Sequence, residues 1–330
     1  MKKLSKAGIT VLVISMISVL CGCSKTENHY AWALGTSSPE DTVTQVYSEK
    51  FAQEVMERSN GSMEIAVYPN GVIGGDRELL ESCADGDIPF VVQNTAPQVS
   101  FMPETAVFDL PCASTTIEEV REKIENPEFY TAIQEVYEKS SYQLLGIADQ
   151  GFRVMTTNKN IQDISRFKGQ KIRTMENANH LKFWQDLGAN PSPMAFSEVY
   201  IGLQQHTIDA EENPYEVIVS GKLYEQQKYM VETNHVPHLI TLIASEDFMD
   251  KLSREQQKII QEAAKSATEY AREQANIRVE DRIEIMEAAG VERIELSNEV
   301  HDEMQKLAQN VYDDIREQAG DQLVDLYIEE

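Results

Sequence analysis

Basic side chains are scarce in this sequence relative to acidic ones. Its 29 lysines and arginines stand against 55 aspartates and glutamates, which gives a formal net charge of −26 at pH 7. A surface of this sign repels nucleic acids and anionic lipid headgroups, so we expect neither as a binding partner. Salt screens the repulsion beyond about 8 Å. A pocket that binds an anion must therefore supply its own local positive charge, which makes rigidly held arginines informative.

Cysteines, histidine clusters and nucleotide-binding loops are also few or lacking. Of the four cysteines, Cys83 and Cys112 lie beyond the N-terminal region and are predicted to be free thiols, although they could pair in an oxidising compartment. The spacing His235-Val236-Pro237-His238 has no third metal ligand beside it in the sequence. Gly71 to Gly75 lacks the lysine of a phosphate-binding loop. The sequence therefore predicts no metal, no cofactor and no enzyme activity.

The longest apolar run of the chain lies at its N-terminus, from Ala7 to Cys21 behind three lysines. It is shorter than the roughly 20 residues that span a bilayer, so residues 1–22 are predicted to be a signal peptide. Leu20-Cys21-Gly22-Cys23 is similar to a bacterial lipobox. That similarity implies cleavage after Gly22, a lipid on Cys23 and a tether over 23–29 at the extracytoplasmic face of the cell membrane. Ordinary signal cleavage without a lipid is the alternative.

Residues 30–150 alternate between strand and helix patterns, which predicts an α/β structure with a mainly parallel sheet. Ser38 is predicted to cap the first helix, with Pro39 at its first position. Apolar residues at helical spacing predict one helix over 117–139. The predicted strands are 30–34, 63–68, 88–92 and 142–148, and a short helix is predicted over 76–84.

Residues 151–240 form a second unit of the same kind, followed by a helical region. The unit has predicted strands at 153–157, 171–175 and 208–211, and predicted helices at about 179–187 and after a cap at Ser197. Ser253 and Gln256 form a capping box that begins a helix with no breaker before Gly290. About 36 residues at 1.5 Å each make roughly 54 Å, which is longer than one lobe of this size. This helix must either bridge two lobes or bend.

Two arginines of the second unit lie in or beside predicted strands. Arg153 begins one strand and Arg173 lies in the next. A strand end holds a guanidinium group rigidly, and its planar fork can meet a carboxylate with two parallel hydrogen bonds. The spacing alone is equally consistent with two surface arginines.

A series of short motifs surrounds these arginines. In order they are Gly151-Phe152-Arg153, Phe167 to Arg173, Leu187 to Pro191, Pro193 to Tyr200, Leu203-Gln204 and Ile208 to Pro214. Their order and spacing resemble those of the solute-binding proteins of TRAP (tripartite ATP-independent periplasmic) transporters, the DctP-like family. Further matches at 35–38, 51–55, 71–80 and 106–111 extend the resemblance over nearly all of the chain that follows the signal peptide.

The resemblance implies a two-lobed, periplasmic-binding-protein-like fold. Each lobe would contain a mixed, mainly parallel sheet flanked by helices, and the long helix would bridge the lobes. Residues 30–150 and about 239–278 would form the first lobe. Residues 151–238 and about 279–330 would form the second. A ligand would bind in the cleft between the lobes, which close on it by a hinge motion.

The same resemblance implies a set of ligand-binding residues. Arg173 would hold the ligand carboxylate as a bidentate pair, and Arg153 would be a second positive donor. Asn213 would contribute an amide that both donates and accepts, and Phe196 would lie against the ligand. The alternatives are a salt bridge from Arg173 to a nearby glutamate, a turn role for Asn213 and a core role for Phe196.

Other residues bear on which acid is bound. Asn94 and Ala33 stand where sialic-acid binders of this group carry glutamate and asparagine, which argues against sialic acid. Glu176, Asp149 or Gln150 could accept hydrogen bonds from hydroxyl groups. This favours a sugar acid such as a uronate or aldonate, because acidic neighbours would repel the second carboxylate of a dicarboxylate. A C4-dicarboxylate or another monocarboxylate is the alternative.

The sequence thus predicts an extracytoplasmic receptor, active as a monomer, that captures an organic acid and delivers it to the membrane permease subunits of a TRAP transporter. A lipoprotein enzyme acting on sugar acids is a rival interpretation, with Glu176 or Asp149 as its acid or base. A sensory subunit that reports ligand binding to a signalling protein is another, because a fold does not by itself define a function.

Overall fold

A computed structural model describes residues 29–328 of the chain. The predicted signal peptide (1–22) and the predicted lipidation site Cys23 lie outside the described residues, as does nearly all of the predicted tether. Between 29 and 328, no helix is both long and apolar enough to cross a membrane. Cys83 and Cys112 are both free thiols, as predicted, and Cys83 is fully buried.

Within residues 29–328, eleven strands form two sheets, one of five and one of six strands. Two long strands of the five-stranded sheet, 142–152 and 237–245, connect it to the other sheet. The strands are β1 (Tyr30–Gly35), β2 (Met63–Tyr68), β3 (Phe90–Asn94), β4 (Tyr142–Phe152), β5 (Val154–Thr157), β6 (Lys171–Thr174), β7 (Asn190–Pro193), β8 (Ala210–Asn213), β9 (Tyr229–Glu232), β10 (Pro237–Ser245) and β11 (Glu292–Glu295).

Both sheets are mixed. The first has the order β2-β1-β3-β10-β4, in which β1 is parallel to β2 and β3, and β10 is antiparallel to β3 and β4. The second has the order β11-β9-β5-β8-β6-β7, in which only the pairings of β5 with β8 and β9 are antiparallel. The predicted α/β class is confirmed. The first sheet is less parallel than predicted because β10 returns from the second unit and inserts between β3 and β4.

Helices flank the two sheets. Those in the described range are α1 (Val43–Arg58), α2 (Asp76–Ala84), α3 (Ile117–Glu125), α4 (Pro127–Lys139), α5 (Ala178–Asp186), α6 (Phe196–Gln204), α7 (Tyr215–Ser220), α8 (Glu246–Asp250), α9 (Arg254–Ala288), α10 (Asn298–Leu307), α11 (Gln309–Ala319) and α12 (Asp321–Ile328). Apart from the exceptions described in the next two paragraphs, the predicted helices and strands are present, although some of them begin or end at other residues than predicted.

Two predicted helix starts are wrong. Helix α1 is capped by the side chain of Thr42 and not by Ser38. Asp41 has a left-handed backbone, with φ of 58°, which prevents a helix from running through it. Helix α6 begins one residue before Ser197, so that residue is not its cap.

The predicted single helix over 117–139 is in fact two helices. Asn126 has an extended backbone and its side chain accepts hydrogen bonds from the first amides of α4. Pro127 occupies the first position of α4, where the missing N–H has no helical partner to lose. The Asn-Pro pair therefore ends one helix and begins the next.

The long helix α9 bridges the two halves of the molecule, as predicted. It spans 35 residues and begins with the predicted capping box of Ser253 and Gln256. Ile260 and the alanines that follow it pack into the core beside β1, β3 and β10. Ile283 and Met286 pack into a separate core that contains residues of β5, α6 and α7. One continuous helix thus contributes to the cores on both sides of the cleft.

The last helices return to the first half of the molecule. Helix α11 packs against the 3-10 turn at Pro103–Asp109 and against α5, while α12 packs against α3 and α4. Tyr327 of α12 lies in edge contact with Phe108 and close to Phe129. The predicted boundary placed residues 279–330 with the second lobe, whereas the contacts of α12 are with elements of the first.

Candidate ligand-binding site

A small cavity lies where strand ends of the two sheets meet. Part of its wall comes from residues in, at the end of or shortly after β1, β3, β6 and β8, which is where open α/β sheets place their ligands. The lining residues are Ser37, Ser38, Pro39, Asp76, Asn94, Arg173, Met175, Phe196, Asn213, Val217 and His238.

The cavity is small. Its free volume is about 30 Å³, whereas a cavity needs about 10–15 Å³ to hold a single water molecule. A ligand larger than a few atoms therefore requires the walls to move apart. Because the walls belong to different sheets, a hinge between the two halves of the molecule would provide that movement.

Arg173 provides the positive charge of this cavity. It lies on β6 and is 2 % exposed, and its Nε and Nη2 atoms donate to the carbonyl oxygen of Met194 at 2.9 and 2.6 Å. Its Nη1 atom is buried and, among the described residues, has no hydrogen-bond partner. No carboxylate of the described chain lies within ion-pair distance of it, so the alternative salt bridge to Glu176 is not made. Burial lowers the pKa of Arg173 to about 10, partly offset by Glu212, and the group is still charged at neutral pH.

Arg153 is also buried, but its charge is compensated. Its Nε and Nη2 atoms pair with the two carboxylate oxygens of Glu212 at 2.5 and 2.8 Å. Nη1 contacts Nδ1 of His238 at 2.6 Å, and Nη2 also reaches Oδ1 of Asn213 at 3.2 Å. Every nitrogen of this guanidinium group has a protein partner. In this geometry Arg153 is engaged within the protein and is not one of the residues that line the cavity.

The partner of Arg153 is held in its ionised form. Burial alone would raise the pKa of Glu212, but the charge of Arg153 and the hydrogen bonds from His235 and Arg153 lower it well below the usual range. His235 contacts the same carboxylate through Nε2 at 3.0 Å. Sequence reasoning missed Glu212 because it lies 59 positions from Arg153, and nothing local indicates the pairing.

Three further predicted residues line the cavity. Phe196 presents its partly buried ring there, next to Met175. Asn213 donates to Glu211 at 2.7 Å, and Asn94 donates to the carbonyl of Leu239 at 2.8 Å. The amide oxygens of both asparagines also accept protein hydrogen bonds. These amides therefore shape the cavity while their polar atoms are already engaged.

Glu176, Asp149 and Gln150 do not line this cavity, contrary to their predicted role. Glu176 follows β6 and its side chain is exposed. Asp149 is buried in a bidentate ion pair with Arg121, at 2.7 and 3.1 Å. Gln150 donates to Thr44 at 2.7 Å. Asp149 and Gln150 of β4 thus bind side chains of α3 and α1, which belong to the same lobe. In this geometry both residues have a structural role.

Four polar residues of the cavity were not predicted, namely Ser37, Ser38, Asp76 and His238. Asp76 begins α2 and accepts a 2.5 Å hydrogen bond from Oγ of Ser37. Burial raises the pKa of Asp76, against the lowering effects of Ser37 and of the charge on Arg173. His238 is the second residue of β10 and is 4 % exposed. The position of Ser37 shortly after a strand was a usable signal, but the return of β10 into the first sheet was not visible in the sequence.

Two lobes that share a bridging helix and enclose a buried, unpaired arginine define a receptor that binds a small solute in its cleft. The chain belongs to the bacterial extracellular solute-binding protein family 7 (DctP), whose model matches residues 34–319. The predicted family is thus confirmed, and it consists of solute-binding receptors, which supports a non-enzymatic role.

Solved structures of TRAP periplasmic solute-binding proteins are similar to this chain over its length. The sugar-acid-binding protein of Advenella mimigardefordensis, solved with galactonate, is 27% identical with a TM-score of 0.87, covering 91% of this chain and 97% of that one. A protein of Polaromonas sp. JS666 bound to D-erythronate is 29% identical with a TM-score of 0.86, covering 91% and 99%. A protein of Sulfurospirillum deleyianum with bound succinate is 27% identical with a TM-score of 0.84, covering 90% and 97%.

Proposed function

We propose that this protein is the receptor of a TRAP transporter and that it captures a sugar acid, such as an aldonate or uronate, by its carboxylate. The observation that carries the proposal is the buried Nη1 atom of Arg173, which faces no acceptor in the described chain. A buried guanidinium group without a partner is costly, and a carboxylate supplies both the opposite charge and the missing acceptor.

A sugar acid fits the walls better than a dicarboxylate does. Asp76 places a carboxyl group in the same cavity as Arg173, and a second ligand carboxylate beside it would be repelled or would require a proton. Hydroxyl groups can instead donate to Asp76 and accept from the cavity donors. Two of the similar structures hold the sugar acids galactonate and D-erythronate, whereas a third holds succinate, so a C4-dicarboxylate is the second candidate.

The ligand-bound receptor would deliver its solute to the membrane permease subunits of the transporter. The lipobox-like sequence that ends in Cys23 would keep the receptor at the outer face of the cell membrane. Arg153, Asn94 and Asn213 would act as supports of the site, with Phe196 against the ligand. Contacts from Glu176, Asp149 or Gln150 to the ligand would require a rearrangement of the present geometry.

Arg173→Ala tests the proposal most directly. We expect the unsubstituted protein, as residues 24–330, to bind at least one acid in a calorimetric titration of D-galactonate, D-galacturonate, succinate, 2-oxoglutarate and sialic acid. Loss of Arg173 should cost about 2–5 kcal/mol, or roughly 30-fold or more in affinity, because it removes a desolvated charged partner. The affinity of Arg173→Lys should lie between those of the unsubstituted protein and Arg173→Ala, since lysine keeps the positive charge but lacks the planar guanidinium group that makes two parallel hydrogen bonds.

The matched control is Arg166→Ala. Arg166 is an exposed arginine of the same lobe, so its removal changes the net charge by the same amount without touching the cavity. We expect wild-type affinity for this variant. Near-normal affinity in Arg173→Ala, or equal losses in both variants, would disprove the carboxylate site.

A further inference from the structure

His238 occupies a special position in the cavity wall. It is the second residue of β10, is 4 % exposed, and lines the same cavity as Arg173 and Asn213. In the sequence, His238 is notable only as one of two closely spaced histidines without a third metal ligand. Its partners in the folded chain assign it a role.

The neighbour of His238 determines which ring nitrogen carries the proton. Nη1 of Arg153 lies 2.6 Å from Nδ1 of His238. A guanidinium group can only donate, so Nδ1 must be the acceptor and the proton of the neutral ring must be on Nε2. Burial and the charge of Arg153 hold the pKa of His238 well below its usual range, so the ring stays neutral near pH 7.

The resulting Nε2–H group has no acceptor among the described residues, since the hydrogen bond of His238 to Arg153 involves Nδ1 alone. The amides of Asn94 and Asn213 are engaged with the protein. Nη1 of Arg173 and Nε2–H of His238 are therefore both donors that this wall can offer to a ligand. One is charged and suits a carboxylate, whereas the other is neutral and suits any oxygen acceptor.

We propose that His238 is a specificity-determining residue, whose Nε2–H donates to a hydroxyl, carbonyl or ring oxygen of the organic acid that Arg173 holds by its carboxylate. This inference rests on the proposed function, which it deepens by defining a second point of recognition. Asp76 and Ser37 also face the cavity, where the carboxylate of Asp76 and the hydroxyl oxygen of Ser37 can accept hydrogen bonds. A hydroxyl group can satisfy both kinds of partner at once, whereas an unsubstituted acyl chain satisfies neither.

Two substitutions separate a ligand contact from a structural role. His238→Asn places an amide oxygen near the position of Nδ1, so it can still accept from Arg153, but it does not reach the position of Nε2. His238→Gln reaches the position of Nε2 with an amide N–H, but it places no acceptor where Nδ1 was. His238→Asn therefore keeps the acceptor for Arg153 and loses the donor to the ligand. His238→Gln keeps the donor to the ligand and loses the acceptor for Arg153.

The measurement is calorimetric affinity for D-galactonate, D-erythronate and succinate, together with the melting temperature of each unliganded variant. We expect His238→Asn to lose about tenfold or more in affinity for the hydroxylated acid that the wild type binds, at a melting temperature close to that of the wild type. His238→Gln should keep most of the affinity but melt at a lower temperature.

Unchanged affinity in His238→Asn would overturn the inference while leaving the arginine site intact. So would affinity losses that follow the melting temperature and are larger in His238→Gln, because they would show a structural role. If the wild type binds none of the three acids, the proposed function fails and this inference fails with it.

Discussion

Two adjacent glutamates on β8 show how strongly the surroundings of a single residue decide its chemistry. Glu211 and Glu212 are both fully buried, but their side chains point to opposite faces of the strand. Glu212 faces Arg153, and its pKa is lowered. Glu211 accepts from Thr156 at 2.5 Å and from Asn213 at 2.7 Å, and burial raises its pKa. One carboxylate is paired directly with a buried cation, whereas the hydrogen-bond partners of the other are neutral groups.

Glu212→Gln should therefore be much more destabilising than Glu211→Gln. Removing the charge of Glu212 leaves Arg153 buried without a counter-ion, which costs about 3–5 kcal/mol in comparable cases. Glu211→Gln replaces a carboxylate whose ionised form is already disfavoured, so we expect a much smaller change. Urea unfolding at pH 7 measures the free energy of unfolding of both variants. Equal losses of stability would contradict the assignment of Glu212 as the counter-ion of Arg153.

The pH dependence of the two variants should differ in sign. In the unfolded chain both carboxyl groups titrate near about pH 4.3. The pKa of Glu212 is lowered by folding, so its contribution to the free energy of unfolding is present above that pH and is lost as the pH falls further. The pKa of Glu211 is raised by folding, so acidification towards about pH 4.3 stabilises the fold through this group. The advantage of the wild type over Glu212→Gln should shrink on acidification to pH 4, whereas its stability relative to Glu211→Gln should increase.

At the residue scale, the sequence predicted positions better than it predicted partners. Arg173, Asn213, Phe196 and Asn94, which were named from the family resemblance, all line the cavity, and each is at or near the end of an element. The pairing of Arg153 depends on which strands become neighbours, and β5 meets β8 only through the fold of the second sheet. An acidic side chain near a predicted strand end, such as Asp149, could not be distinguished from a ligand contact for the same reason.

At the scale of elements, β4 is fitted tightly between two helices at Gly146. A Cβ atom at this position would lie 2.2 Å from Oγ1 of Thr268 on α9 and 2.5 Å from the hydroxyl oxygen of Tyr47 on α1. These two hydroxyl groups are themselves hydrogen-bonded at 2.5 Å. The absence of a side chain at Gly146 lets α1 and α9 approach the strand and each other.

Gly146→Ala should destabilise the protein by about 1–3 kcal/mol, the usual cost of overpacking. The matched comparison is Gly35→Ala, whose Cβ would meet only side-chain carbons of Leu79 and Ile73, the closest being a terminal methyl group that can rotate away. We expect a smaller loss there. Adding Thr268→Ala to Gly146→Ala should recover part of the stability, because it removes the closest atom. Denaturant unfolding measures the free energy of unfolding of each variant. Equal losses of stability in Gly146→Ala and Gly35→Ala would show that α9 can shift freely.

Helix bounds were predictable where a strong local signal marked them, and less so where several signals compete. The capping box of Ser253 begins α9 as predicted, because both of its hydrogen bonds are local. Ser38 and Thr42 are both acceptable caps in sequence terms, and the left-handed backbone of Asp41 decides between them. That conformation accompanies ion pairs from Asp41 to two arginines of α9, which no local pattern contains.

At the scale of the whole molecule, a polar cluster joins the two halves. Glu216 of α7 accepts a hydrogen bond at 2.7 Å from the backbone amide of Val43, the first residue of α1. Arg278 of α9 donates to Glu216 and to Asp41, the latter at 2.6 Å. Ser220 of α7 donates to the carbonyl of Asp41 at 2.9 Å. A helix N-terminus of the first lobe is thus satisfied by a carboxylate of the second, with the bridging helix between them.

Glu216→Ala should weaken the closed arrangement of the lobes more than it weakens either lobe. These contacts form only when α7 lies against the start of α1, so they stabilise the closed arrangement and not the open one. Their loss therefore shifts the equilibrium towards the open arrangement by the free energy that they contribute. We expect faster ligand dissociation in stopped-flow measurements and a larger radius of gyration of the unliganded protein in X-ray scattering. The control is Glu135→Ala, which removes an exposed carboxylate paired only within α4 and should change neither quantity. If Glu216→Ala left both quantities at the wild-type value, the cluster would be a static support, and closure would depend on the cavity residues and the ligand alone.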